Sequence, residues 1–524
     1  MKKMITLVLG IMLVGGVEAT VYVVPGGTGD GSSWSNALGD IQSAVNAAQV
    51  LFSTSSEAQD VWVKAGTYST AAAPVLMKEG VNLYGGFAGT ETELSQRARG
   101  TDPWDFTHVT ILDGGAAKRC IEVAANFPAV YVIDGFTITN GNGQGTQLNN
   151  SGGGVLLRAN LKLQNSIVTG NTTTGNGGGI NAVGGIVSNC RIYNNTTTSG
   201  TIPAAGGIYA APASGFASLI EHSLIEQNAQ GGVRVQAAGN STLNSLIIRN
   251  NTSTGAGAGI YTNNPGSCTI TNCLITNNTG NNTVYLNKGT MVNNTVANNE
   301  GLIYLASATN TGELYNNIVV GNVAKATTTP VAISVVAGYP AGKVKFNATW
   351  PSVASYSWAD GSDSILLTDA ATAWQDIAFI APTSFAGATT DAVKLTEIAQ
   401  ANWKVGSASL AVNAGENSYF PAAITFDLAG LDRIAGARID LGAYELPEGT
   451  TAPDASPENR VSVAVGGDRV YISGLTAGEE VAVYSIAGTM MGSVKAASEP
   501  VVVKLEKGIY IVKTPSQTQK IVVR

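Results

Sequence analysis

Charge is scarce in this chain of 524 residues: 12% are Asp, Glu, Lys or Arg, about half of ordinary usage. That excludes a disordered acidic or basic tail protein, which needs high charge and little apolar content. The formal balance is −7, so the basic face that nucleic acid requires is missing and no nucleic-acid partner is expected. Strong helix formers are thin while glycine reaches 63, which argues against a helical repeat. Histidine occurs twice, and the four cysteines (Cys120, Cys190, Cys268, Cys273) form no Cys-x-x-Cys or Cys/His cluster, so neither a metal nor another cofactor is expected. Cys268 and Cys273 stand five apart in a strand-like run, ~16 Å when extended, beyond the reach of a disulfide. The thiols read as small apolar filler. Beyond the N-terminus no run approaches the ~20 apolar residues of a membrane span.

What is present starts with an address. Lys2 and Lys3 precede an apolar Met4 to Val17, and Val17-Glu18-Ala19 ends in the small residues of a cleavage site. Residues 1–19 read as a secretory leader, with an exported mature chain beginning at Thr20.

An internal repeat then sets the architecture. Polar residues six apart bracket an apolar core at Asp134–Asn140, Asn165–Asn171, Asn189–Asn195, His222–Asn228, Asn244–Asn250, Asn272–Asn278, Asn293–Asn299 and Asn316–Asn322. The third residue after each opener is Thr137, Val168, Ile192, Ile225, Ile247, Ile275, Val296 and Val319, a column that chance does not produce. Gly-rich turns lead into a second column, Val155, Ile180, Ile208, Val233, Ile260, Val284 and Ile303, at spacings of 19 to 28 residues. A period in the twenties with short strands is that of a solenoid. Leucine dominates no column, and asparagine at bends with β-branched interiors fits a parallel β-helix, whose coils stack ~4.8 Å apart. The expected fold is all-β: a parallel β-helix, then a small C-terminal β-sandwich.

The chain resembles the pectin-lyase-like β-helix proteins, and among them Bacteroidetes surface proteins of the choice-of-anchor Q type. The resemblance rests on VYVVPGGTGDGSSWSNALGDIQSAVNAA (Val21 to Ala48), VWVKAGTY (Val61 to Tyr68), LYGGFAGTETELSQRARG (Leu83 to Gly100), TILDG (Thr110 to Gly114), SLAVNAGEN (Ser409 to Asn417) and DLAGLDRIAGARIDLGAYE (Asp427 to Glu445). It implies a right-handed parallel β-helix with an N-terminal capping helix and caps over residues 20–446; from residue 323 the repeat is lost, and Val319 to Ala326 and Thr383 to Asp391 read as connecting loops. A Pro-, Thr- and acid-rich linker (447–459) leads to alternating short strands over 460–524, a sandwich pattern. There EEVAVYSIAGTMMGSV, KGIYIVK and KIVVR resemble a type IX secretion sorting domain, which implies the type IX machinery as a partner and an outer-membrane-surface or extracellular location.

For chemistry the sequence offers little. Glycosidases need two carboxyl groups ~5–9.5 Å apart, yet no aspartate lies between Gly135 and Ala359, and the glutamates there are Glu221, Glu226, Glu300 and Glu313. His222, beside Glu221 and four before Glu226, is a candidate base oriented by a carboxylate, and Arg191 a candidate base for a lyase. A ladder role for His222 and a solvated one for Arg191 are the plainer readings. The residue after each Gly-led anchor points outward, giving a column of Leu156, Asn181, Tyr209, Arg234, Tyr261, Tyr285 and Tyr304. Tyr209, Arg234, Tyr261, Tyr285 and Tyr304 are the candidate ligand-binding residues, able to stack on or hydrogen-bond sugars; the plainer reading is an aromatic ladder holding strands together. The leading function is therefore a monomeric, exported surface protein that binds or adheres to an extracellular polysaccharide or host glycan. The alternatives are a polysaccharide lyase or glycoside hydrolase, and a structural stalk; the sequence leans against an enzyme.

Overall fold

The computed structural model describes residues 20–447 apart from 149, 199–203, 237, 264–265, 310–311, 352–363 and 368–369, and then 462–466, 469–473, 478–485, 489–495, 501–505, 508–513 and 518–523. The leader (1–19) and residues 448–459 of the linker lie outside them. The chain divides into two units, Met1–Glu448 and Gly449–Arg524.

The first unit is a right-handed parallel β-helix. Among the described residues its coils build three parallel sheets: sheet A with 12 strands, sheet B with 12 and sheet C with 10. One coil illustrates the path: Leu161–Gln164 in sheet A, Ile167–Thr169 in sheet B, Ile180–Ala182 in sheet C. The next coil repeats it one rung on, so Leu163 pairs with Val187, Val168 with Ile192 and Ile180 with Ile208. Equivalent aliphatic side chains thereby pile into interior columns that are fully buried. Helix α1 (Ile41–Ser55) covers the first coil with Ile41, Ala44, Val45 and Ala48, and the Asp40 carboxylate caps it by accepting from Ser43 N at 2.7 Å.

The interior column of sheet B runs Leu112, Ile138, Val168, Ile192, Ile225, Ile248, Ile275, Val296, Val319. Two members of the expected column are corrected. Thr137 and Ile247 are out of register by one residue and face outward, while Ile138 and Ile248 are buried. The cause is the corner. Where Asn165, Asn189, His222, Asn272, Asn293 and Asn316 themselves turn the chain with positive φ, those two coils turn one residue later, at Gly135 (φ 83°) and Ser245 (φ 53°). A slip of one residue exchanges the two faces of a strand.

At the exit of sheet B a second corner carries an asparagine ladder: Asn171, Asn195, Asn228, Asn251, Asn278, Asn299, Asn322. Each Nδ2 donates to the next Oδ1 at 2.9–3.1 Å, and each Oδ1 also accepts the backbone N–H of the preceding asparagine. A shorter ladder, Asn294–Asn317–Asn347, occupies the first corner in the last coils.

The sheets continue through Ile333–Val335, Val344–Lys345, Ala348–Thr349 and Ile365–Leu366. The chain then turns back through α2 (Ala370–Ile377) and α3 (Ala392–Gln400) and clads the outer face of sheet B. Leu274, Ala297, Ile318, Val320 and Ala348 share a core there with Ile377, Phe379, Trp403, Ala411 and Leu441, and Ile247 borders it. That contact explains apolar side chains on an outward face. The corner asparagines fasten the cladding. Asn250, Asn277 and Asn298 donate to the carbonyls of Thr389, Phe385 and Thr383, so the Thr383–Asp391 loop is bound along its length. On the other edge Asn272, Asn293 and Asn316 donate to Phe426, Asp440 and Glu416.

The second unit is antiparallel. Strands Ser462–Gly466, Arg469–Ser473 and Val501–Lys504 form one sheet; Glu480–Ser485, Met490–Lys495, Gly508–Lys513 and Thr518–Val523 form the other. Val470, Ile472 and Val501 of the first share a buried core with Val481, Val483, Tyr510 and Val512 of the second, the arrangement of a small sandwich.

Candidate functional site

Sheet C holds Tyr209, Arg234, Tyr261, Tyr285 and Tyr304 on five successive rungs in unbroken register, with Asn181 before them and Ser334 after. Strand alternation produces this. Ile208 and Ala210 flank Tyr209 and are buried, as Val233 and Val235 are beside Arg234 and Val284 and Leu286 beside Tyr285, so the residue between must face out. The rings then settle on one another. Tyr261 and Tyr285 stack at 4.5 Å with planes 12° apart, and Tyr304 follows at 5.6 Å and 49°. The Arg234 guanidinium lies between the rings of Tyr209 and Tyr261, at 5.6 and 5.2 Å.

That packing sets what the stripe can offer. Facing rings cover each other, so Tyr261 and Tyr285 present edges and hydroxyls rather than open faces. Tyr304 alone among the three has a small neighbour, Ser334, on its far side. Burial pushes the Tyr209 and Tyr261 hydroxyls above the usual phenol range, which keeps them protonated donors, and desolvation lowers Arg234 from the usual guanidinium range. Tyr209, Tyr285 and Tyr304 are half-buried, whereas Arg234 and Tyr261 are 9% and 8% exposed.

Toward the N-terminus the same column is closed. Glu122 occupies it one rung before Leu156, a member sequence reading missed because no Gly-led anchor precedes it. Its carboxylate accepts from Thr146 N and Oγ1 and from Arg119 Nη1 (2.9 Å). Arg119 in turn donates to the carbonyls of Gly143, Gln147, Leu148, Ser151 and Gly152. This fully buried pair pins the 143–152 loop against the sheet, and Leu156 is wholly covered. The open stripe therefore starts at Tyr209.

Of the four candidate catalytic residues, Arg191 and Glu226 are brought together as an ion pair. Glu221 ends a sheet A strand and Glu226 ends a sheet B strand, with His222 exposed at the corner between them in the left-handed conformation (φ 47°). His222 has no ion pair among the described residues. Glu226 is held by Arg191 (Nη2 to Oε1, 2.6 Å) and by Arg249 (Nε to Oε2, 2.9 Å). Arg191 also lies over the Tyr193 ring at 4.2 Å, and Arg249 donates to Ile398 O in α3. The trio docks α3 on sheet B, a role the sequence did not reveal because Ile398 lies 149 residues from Arg249.

A second buried charge cluster closes the cladding. Arg433 donates to the carbonyls of Asp440 and Gly442 and lies 3.8 Å from Glu445. Asp427, Asp440 and Glu445 spend their oxygens on backbone N–H groups of Ala429, Leu431, Asn413, Leu446 and Asp440. Among the described residues no group of three or more His, Cys, Asp or Glu has the placement to hold a metal ion. The four cysteines are free and buried, with burial pushing each thiol up to about 12. No described helix is long and apolar enough to cross a membrane.

A family model described as the right-handed β-helix region matches residues 183–339. A solved structure of a pectate lyase, Pel9A, superposes with a TM-score of 0.46 and 13% sequence identity, covering 81% of this chain and 96% of the lyase. No curated protein matches the sequence.

Proposed function

We propose that this is an exported, surface-attached monomer whose sheet C stripe binds glycans. The observation that carries the reading is the unbroken run Tyr209–Arg234–Tyr261–Tyr285–Tyr304, which sets hydroxyls and a guanidinium at rung intervals along one outward line. A polymer of repeating hydroxyl-bearing units meets a repeating row of hydrogen-bond donors, with the rings supplying apolar edge. Contact is edge-on along most of the row, and Tyr304 supplies the ring face. Export is supported by the leader-like residues 1–19, and surface attachment by the choice-of-anchor Q resemblance and the sorting-domain resemblance of the tail, with the type IX machinery as its partner. The regularity that suits a stalk also suits a binding platform, and the stripe favours the platform.

The test is the double variant Tyr261→Ala/Tyr285→Ala on a glycan array. Binding should fall about tenfold or more, ~1.4 kcal/mol, while the far-UV spectrum stays that of a β-helix. Undiminished binding by a folded double variant removes the stripe from the function.

A further inference from the structure

Four arginines are buried in the described residues: Arg97, Arg119, Arg234 and Arg433. Three have an acid at hand, Arg97 with Asp134 at 2.8 Å, Arg119 with Glu122 at 2.9 Å and Arg433 with Glu445 at 3.8 Å. Arg234 has none. Its Nη2 donates to Gln236 Oε1, its Nε is buried without a hydrogen-bond partner, and its other neighbours are the Tyr209 and Tyr261 rings. Acids outnumber bases in the chain, 36 to 29, so the missing partner is a matter of placement and not of supply. Taking a guanidinium out of water is costly, and the two ring faces return that cost only in part. A cation so placed, 9% exposed on the outward side of sheet C, lacks a counter-charge that an anion from outside would supply.

We propose that Arg234 is an oxyanion-binding point, so that the glycan taken by the stripe carries acidic groups, a carboxylate or a sulfate ester. This rests on the glycan reading and narrows it to a class. The planar guanidinium suits either oxyanion through paired N–H donors, and the neutral hydroxyls of Tyr209 and Tyr261 flank it on the adjacent rungs. Gln236 Oε1 stands in the acceptor position that the anion would compete for.

The experiment titrates the full-length protein with alginate (carboxylate), carrageenan (sulfate ester) and dextran (neutral), comparing the natural chain with Arg234→Met and Arg234→Lys. At least one acidic polymer should bind about tenfold or more tightly than dextran, the scale of a charged hydrogen bond. Arg234→Met should erase that preference, so that the acidic polymers bind no more tightly than dextran, and Arg234→Lys should restore part of it. Which polymer loses affinity identifies the oxyanion. Equal affinity for all three polymers, or an acidic preference that survives Arg234→Met, overturns the role of Arg234 while the stripe stands if Tyr261→Ala/Tyr285→Ala still abolishes binding. Binding to none of the three, with none on the array, overturns the glycan reading and this inference with it.

Discussion

Glu445 lies buried beside Arg433 and Asp440, and burial, acting against the pull of Arg433, pushes its carboxyl up to about 7 from an ordinary 4.5. Between those values the folded chain keeps a proton that the unfolded chain has lost, so stability falls as pH rises through the window. The contribution is whole below 4.5 and gone above about 7. Glu445→Gln cannot titrate, so denaturation midpoints of the natural chain should decline relative to this variant from pH 4.5 to 7.5; parallel profiles would show that the carboxyl is not perturbed. Single residues also mark where the sequence was legible and where it was not. Val168, Ile192 and Ile225 were assigned correctly because asparagine or histidine itself turned the corner. At Ser245 the turn passed to a residue without the asparagine signal, and the bracket misled by one place. Tyr261 could be assigned to the outer face, but not the ring stacking that hides its face, since stacking depends on side-chain torsions that alternation leaves open.

At the scale of elements, the asparagine ladder joins coils that are otherwise held by strand hydrogen bonds and interior packing. Asn228 Oδ1 accepts from both Asn195 N and Asn195 Nδ2. Asn228→Ala strips that acceptor and leaves a buried backbone N–H unpaired, with Asn195 Nδ2 keeping its bonds to Val168 O and Tyr193 O. One orphaned buried donor costs ~1–3 kcal/mol, and the side-chain pair adds ~1. Denaturant midpoints should show the loss, whereas Thr242→Ala, half-exposed on sheet A, should stay within ~0.5 kcal/mol. Equal effects of the two would mean that the ladder contributes nothing beyond packing. The ladder was readable as a spacing of asparagines except at Asn251, where the bracket ended one place early at Asn250. The cladding was not, because its fastenings run from corner asparagines to backbone carbonyls of Thr383, Phe385 and Thr389, and a carbonyl carries no sequence signature. Outward Leu274 and Ile318, apolar where solvent was expected, were its one visible sign.

For the whole molecule, the question is what two units with separate cores are for. The β-helix closes its interior with its own coils and α1, the cladding covers the outer face of sheet B, and the sandwich closes its own core with Val470, Ile472, Val481, Val483, Val501, Tyr510 and Val512. A sandwich this small is marginal alone, since it buries a smaller share of its surface than a larger domain does. A chain of residues 20–447 should therefore fold alone and melt within a few degrees of the β-helix transition of the longer chain, read by calorimetry as a second, weaker transition lost with the tail. If residues 460–524 are a sorting signal, mass spectrometry of protein recovered from the cell surface should find them removed. A surface form that still ends at Lys520–Arg524 would make the sandwich a permanent domain and defeat the sorting role, leaving the stripe on sheet C untouched as the place to look for function.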